Sequence, residues 1–294
     1  MDLGATGPIG IAGGGRIGQA LGRLLFERGE PVAAVACRRL QQARAAAAFI
    51  GDSVAPVTWA ELVSRASRIL ISVPDDAISR VAATLADAGM REGMALHTCG
   101  ALGLEVLVPL SRQGVSCASL HPLQTVPTPA QGVASLPAAW FAVSGGGPAA
   151  AWARRIVHLI GGRAFEIPEE GRPLYHAGAV MACNFLVALV DAAVALFGQA
   201  GLEREQALEA ISPLVSATAG NVLRLGPEKA LTGAIARGDA ATIRMHLAAL
   251  DGAPEPVREL YRTAARYTID LARRSGLKEA KARQLERLFT EPGG

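Results

Sequence analysis

Gly13, Gly15 and Gly18 stand at the spacing G-x-G-x-x-G, directly after the short apolar run Pro8-Ile9. Glycines at this spacing have distinct tasks where a strand turns into a helix. The first permits the tight turn, the second lets the backbone approach a pyrophosphate, and the third lets the helix lie against the strand. The pyrophosphate then rests on N–H groups at the helix N-terminus, here around Arg16 and Ile17, where the helix dipole favours an anion. About twenty residues further on, an NAD site carries Asp or Glu for the ribose hydroxyls. This chain has Cys37-Arg38-Arg39 there. A carboxylate would repel a 2′-phosphate, whereas guanidiniums offer it charge-assisted, bidentate bonds. The cofactor expected is therefore NADP(H).

A second set of residues suits proton transfer. His176, Val180 and Asn184 recur every four residues, so a helix would place them on one face. A histidine and an asparagine on an otherwise apolar face need partners. One reading is a satisfied core network. The other is a substrate site in which Asn184 holds a carbonyl or carboxylate and His176 donates a proton. A C=O or C=N that accepts hydride needs a proton at its heteroatom, and histidine titrates near neutrality. His121 competes for the same role or positions the cofactor.

Strand ends supply the remaining candidates, because open α/β sheets bind ligands beyond their carboxyl edges. Ser72-Val73-Pro74-Asp75 ends one strand and His97-Thr98-Cys99-Gly100 another. Ser72, Val73, Pro74 and Thr98 are expected to line the cofactor. Downstream, Thr232, Arg237 and His246 are substrate candidates, Arg237 because an anionic substrate wants a guanidinium fork. Asp239 is expected to cap a helix. No spacing suits a metal.

These residues require particular elements. Arg16 to Arg28 carries Ile17, Ala20, Leu21, Leu24 and Leu25 on one helical stripe, and Gly29 can close it. Pro31 to Cys37 predicts a strand and completes a βαβ unit. Further strands are expected at Arg68–Pro74, Met94–His97, Val115–Leu120, Trp140–Val143 and Arg163–Ile167, with helices at Asp76–Ala88 and Ala149–Ile160. Alternating β and α segments predict an α/β fold with a doubly wound, mainly parallel Rossmann-type sheet. Pro122 to Pro137 is expected as a long loop. From Arg172 onward only helical periodicity is present, so an all-helical C-terminal domain follows. The expected domains are 1–168 and 169–294.

Composition sets the outer limits. Two domains fit 294 residues. A net charge of +3 and 4% aromatic residues offer no basic, aromatic-interleaved surface for nucleic acid. Cys37, Cys99, Cys117 and Cys183 lack C-x-x-C spacing and are expected as free thiols in a reducing compartment. No signal-peptide pattern opens the chain, so a cytoplasmic location is expected. Ala177 to Leu196 is long and apolar enough to span a bilayer. Asn184 and Asp191 interrupt it, however, and a central helix buried on all sides, in part by a second subunit, is expected instead.

The segments GIAGGGRIG, ISVPDDAI, LHTCGA, SLHPLQTVP, YHAGAVMACNFLVAL and GPEKALTGAIARGDAATIRMHLAAL together resemble a family that pairs a Rossmann-like NADP-binding domain with a helical domain of unknown function. They span Gly10 to Leu250. The family form has proline where Ala234 stands and serine where Cys99 stands. More distantly, the layout is similar to ketopantoate reductase, 6-phosphogluconate and β-hydroxyacid dehydrogenases, pyrroline-5-carboxylate reductase and prephenate dehydrogenase. Ketopantoate reductase has a lysine and asparagines at four-residue spacing on the first long helix of its second domain. Here His176 takes the lysine-like position, Val180 an asparagine position and Asn184 the next. His121-Pro122 resembles the His-Pro that follows a strand in prephenate dehydrogenases. The resemblance implies an oxidoreductase scaffold and a homodimer formed through the helical domain.

The expected function is NADP-dependent hydride transfer on a small, anionic keto, hydroxy or imino acid. The alternative is a non-enzymatic NADP(H)-binding sensor or regulator, which needs the glycines and arginines but neither His176 nor Asn184.

Overall fold

The computed structural model describes residues 7–290. Eight strands form one sheet: β1 (Ile9–Ala12), β2 (Val32–Ala36), β3 (Ala55–Val57), β4 (Arg68–Ile71), β5 (Met94–His97), β6 (Ser116–Leu123), β7 (Trp140–Gly145) and β8 (Arg163–Glu166). Their spatial order is β3-β2-β1-β4-β5-β6-β7-β8. All neighbours are parallel except β6 and β7. The chain reverses direction between β1 and β4, which opens the crevice in which such sheets bind nucleotides.

Both faces of the sheet are covered, so its strands are apolar on both sides. Ile9, Ile11, Val35 and Leu70 pack toward one core with α1 (Arg16–Glu27) and α2 (Leu40–Ile50). Ala34, Ala36, Ile69 and Ile71 pack toward the other with α3 (Trp59–Arg65), α4 (Ile78–Asp87) and α5 (Val108–Ser111). Alternate residues of one strand thus reach opposite cores. Strand β3 escapes sequence reading because it is three residues long and contains Pro56. It lies at the sheet edge, where a strand proline is tolerated.

The expected loop from Pro122 to Pro137 is corrected. Strand β6 continues through Pro122 to Leu123, and α6 (Pro129–Ser135) follows. Beyond Ser119, β6 pairs with β7 alone, an edge setting again. Thr128 caps α6 by accepting the Gln131 N–H at 3.2 Å, and Pro129 sits in the first turn, where its missing N–H costs nothing. Helix α7 (Gly147–Ile160) connects β7 to β8, and α8 (Arg172–Ala182) leaves the sheet.

Two compact units emerge, Met1–Cys183 and Asn184–Gly294. The boundary expected after residue 168 marks the end of the sheet, but α8 stays with the sheet unit because Arg172 is anchored there. The second unit is all-helical: α9 (Asn184–Gln199), α10 (Arg204–Leu225), α11 (Pro227–Ala230), α12 (Ala234–Arg237), α13 (Ala240–Ala249), α14 (Glu255–Arg274) and α15 (Glu279–Thr290). Ile243, Leu247, Ile269, Leu285 and Phe289 form one core within it. Val194, Ala207 and Ile211 form a smaller one.

The buried central helix expected over Ala177–Leu196 is also corrected. It is two helices, α8 and α9, broken at Cys183, whose φ is −113° and ψ −71°. Within this chain it is exposed. Only Arg172 of α8 and Val194 of α9 are buried, while Leu174 is 80% and Val187 67% exposed. Glu169–Gln199 as a whole is long and apolar enough to cross a membrane.

Candidate active site

The glycine loop has the shape that its spacing predicts. Gly13 adopts φ +111°, a left-handed conformation that favours glycine, and its N–H donates to the Ala36 carbonyl at 2.8 Å. A methyl on Gly13 would overlap the Ser72 carbonyl and lie 2.7 Å from Val73 Cγ1. A methyl on Gly18 would overlap the Gly13 carbonyl. The loop is thus held between the end of β4 and the start of α1. Gly15 differs, because a methyl there would meet only the Ser72 carbonyl at 3.8 Å, so its face is open.

Gly15 caps α1 without any side-chain hydrogen bond, and the first turn contains no acid. The first-turn N–H groups, including those of exposed Arg16 and half-buried Ile17, have no i−4 acceptors within the helix and face a positive dipole end. Gly14 N–H donates to Cys37 Sγ at 3.1 Å, tying the loop to the end of β2. Arg38 and Arg39 follow, both exposed, with neither guanidinium engaged by a hydrogen bond or ion pair among the described residues. Ser72 is buried and accepts from Thr98 Oγ1 at 3.3 Å, joining the ends of β4 and β5. Val73 is half-buried, and exposed Pro74 leads into a short turn at Asp75. An open helix N-terminus beside two uncommitted guanidiniums fits an anionic dinucleotide with an additional phosphate.

A cluster of ionisable groups lies along the ends of β5 and β6. Its anchor, Arg172 at the start of α8, is fully buried. Nη1 donates to Ser119 Oγ at 2.7 Å and Ser144 Oγ at 2.8 Å, and Nη2 donates to the Cys99 carbonyl at 2.6 Å. Its Nε has no partner. One guanidinium therefore ties α8 to β6, β7 and the turn after β5. All three acceptors are neutral, so the charge is solvated but not cancelled. Fully buried His97 accepts the Cys99 N–H on Nδ1 at 3.2 Å. Burial, and then the charge of Arg172, push its pKa down to about 3.

The next turn of α8 supplies the reactive side chains. Tyr175 Oη lies 2.7 Å from His121 Nδ1. The two rings meet edge to face at 5.5 Å, and Tyr175 also packs on Phe165 at 5.9 Å. His176 meets His121 at 5.9 Å, and its Nδ1 is buried without a partner. Burial first, then His176 and Arg172, depress the His121 pKa to about 4, with Asp75 acting in the opposite sense. Burial raises the Tyr175 phenol to about 12 against the pull of Arg172. Gly100 makes room for both imidazoles. A methyl there would lie 2.7 Å from His176 Nδ1 and 2.8 Å from His121 Cε1 and Nε2.

His121 and His176, named separately from sequence, are therefore neighbours. The other candidates belong to the helical unit. Asn184 opens α9 beyond the break at Cys183 and is exposed, so the four-residue helical spacing holds only from His176 to Val180. Thr232 and Arg237 are exposed. His246 Nδ1 is 2.8 Å from Tyr261 Oη. Asp239 caps α13, its Oδ1 accepting the Thr242 N–H at 3.1 Å. Sequence reading missed Arg172 and Tyr175. The available signal was an arginine one turn before His176 at the head of an apolar helix, a placement that calls for buried acceptors.

Residues 139–268 match the family described as a domain of unknown function, DUF2520. Residues 4–122 match the Rossmann-like domain family. The two matches follow one another along the chain, the Rossmann-like one first. No curated protein matches it. Among solved structures, a Bacteroides fragilis protein assigned as an NADP oxidoreductase superposes with a TM-score of 0.73 at 24% identity, over 90% of this chain and 98% of that one. An imine reductase from Pseudomonas sp. gives 0.64 at 19% identity, over 96% and 99%. A Plasmodium falciparum pyrroline carboxylate reductase with NADP bound gives 0.58 at 12% identity, also over 96% and 99%. The chain thus shares its fold with these three structures.

Proposed function

We propose that the chain is an NADP(H)-dependent oxidoreductase acting on a small, anionic keto, hydroxy or imino acid. One observation carries the reading. The sheet that presents an anion cradle at β1 also carries His121 on β6, and α8 brings Tyr175 and His176 against it, which gathers groups able to hold a proton. Gly13 to Gly18 would hold the pyrophosphate, Arg38 and Arg39 the 2′-phosphate, and Ser72, Val73, Pro74 and Thr98 the wall beside it. The cofactor would supply or accept hydride. The chain's own residues would hold the proton for the substrate heteroatom within the His121, Tyr175 and His176 cluster.

The test is NADPH oxidation by the purified protein against pooled 2-keto acids and cyclic imines, together with cofactor affinities of an Arg38→Ala/Arg39→Ala variant. NADPH should weaken by roughly tenfold or more while NADH changes little, since a charge-assisted bond contributes about 1.5–3 kcal/mol. Equal losses would refute the phosphate assignment. NADPH binding with no turnover on any substrate would leave the sensor reading instead.

We also infer that the partner is a second copy of this chain, seated on the exposed apolar side chains of α9 and α10 in the helical unit, among them Val187, Leu214 and Leu223. Exposed apolar side chains gathered on packed helices mark association sites. Val187→Asp should shift the protein to monomer in sedimentation, and a monomeric wild type would refute the inference.

A further inference from the structure

We propose that Tyr175 is the proton donor of this site, with His121 holding its oxygen through Nδ1–H and Arg172 stabilising the phenolate left behind. The proposal rests on the oxidoreductase reading and names the group that carries its proton.

The geometry supports this order of roles. The Tyr175–His121 contact, at 2.7 Å, is the shortest polar link either side chain makes. At neutral pH His121 is uncharged, because burial, reinforced by its neighbours His176 and Arg172, outweighs Asp75. A neutral imidazole gives up its remaining N–H less readily than a phenol does. His97 is buried and neutral as well, and its Nδ1 is taken by the Cys99 N–H. Tyr175 keeps its proton throughout the neutral range, with an ionisation pushed up to about 12. An alkoxide formed by hydride addition is a stronger base than such a phenolate, so proton transfer to it runs downhill.

Arg172 explains why a phenolate can be tolerated in a half-buried position. Its three hydrogen bonds go to two hydroxyls and a carbonyl, so its charge remains available to an anion nearby. The carboxylates of Glu169 and Glu105 act on it from the turn before α8 and the turn after β5, and Cys99 and Tyr175 act on it as well. Phenolate formation places an anion beside a cation that has no carboxylate bonded to it.

The step balances as follows. A bound reduced nicotinamide dinucleotide would supply the hydride to the substrate carbon. The Tyr175 Oη–H bond breaks, and its proton forms the new O–H or N–H bond on the substrate heteroatom. The electron pair stays on Tyr175 Oη, which accepts the His121 Nδ1–H bond until a solvent proton restores the phenol.

Tyr175→Phe tests the proposal, since the ring packing on Phe165 and His121 is retained. Turnover should fall by about 10²–10⁴-fold, the usual range for a lost general acid, with NADPH affinity unchanged. Two readouts do not depend on turnover. Nitrogen NMR of the histidines should show His121 protonated on Nδ1 in the wild type. The near-ultraviolet tyrosinate titration assigned by difference to Tyr175 should move to higher pH in Arg172→Met and less so in Arg172→Lys. Wild-type turnover in Tyr175→Phe would overturn the proposal, as would His121 protonated on Nε2 alone. If Arg172→Met does not fold, the histidine spectrum and Tyr175→Phe still decide. If the wild type turns over no substrate, the oxidoreductase reading falls on that result, and the Nδ1 assignment separately tests the Tyr175–His121 arrangement.

Discussion

Gly100→Ala isolates the histidine cluster from the rest of the molecule. Its added methyl would stand 2.7 Å from His176 Nδ1 and 2.8 Å from two atoms of the His121 ring, about 0.6–0.7 Å inside ordinary van der Waals contact. Gly100 does not have positive φ, so alanine adds no backbone strain. The cost is steric alone. His121 is tethered to Tyr175, and His176 Nδ1 is sealed from solvent. Neither ring can withdraw without breaking the Tyr175 bond or opening the pocket. Overpacking of this kind costs about 1–3 kcal/mol. At about 2–4 °C per kcal/mol for a unit of this size, the melting temperature should fall by roughly 2–12 °C. The catalytic loss should be larger in proportion, because misplacing a reacting group by about 1 Å costs on the order of 10²-fold. The added methyl would meet no residue of the glycine loop, so NADPH affinity should fall far less than kcat. Calorimetry, cofactor titration and steady-state kinetics read the three quantities separately. A variant with wild-type kcat, or one losing NADPH affinity as steeply as kcat, would refute the reasoning.

Two further outcomes follow from the same geometry. His97 and His121 have folded pKa values of about 3 and about 4, below the ordinary 6.5. The unfolded chain therefore binds more protons between those values, and stability falls as pH drops below about 6.5, by up to about 1.4 kcal/mol per pH unit for each histidine. Denaturant melts at pH 7 and pH 5 should show this loss, which is halved if one histidine is protonated in the native state and absent if both are. Gly18→Ala should abolish measurable NADPH binding and destabilise the fold by about 1–3 kcal/mol, because its methyl would meet the Gly13 carbonyl. Retained NADPH affinity would show that the loop is not the cofactor cradle.

The sequence by itself determined the local chemistry. Gly13 and Gly18 stand where a methyl would overlap backbone, Gly15 leaves an open face, and arginines rather than an acid follow β2. Strands were legible where apolar runs were continuous and bounded, and β3 was not, because a three-residue edge strand containing Pro56 has no periodicity to detect. Helix α6 was hidden because its prolines suggest a loop until Thr128 is seen capping it. Asp239 was legible as a cap because capping is a contact between residues three apart.

Tertiary structure decided everything that depends on residues far apart in the chain. His121 and Tyr175 are 54 positions apart, and Arg172 lies 53 from Ser119 and 73 from Cys99. No spacing rule links such residues, since a parallel sheet sets its neighbours by long crossovers. The same holds for charge. A histidine in sequence is a group that titrates near neutrality, whereas His121 is held neutral by burial and by a guanidinium from another element. Apolar character along α8 and α9 was plain from composition, but its exposure was not. Composition fixes which residues avoid water, and only packing shows which of them this chain leaves uncovered.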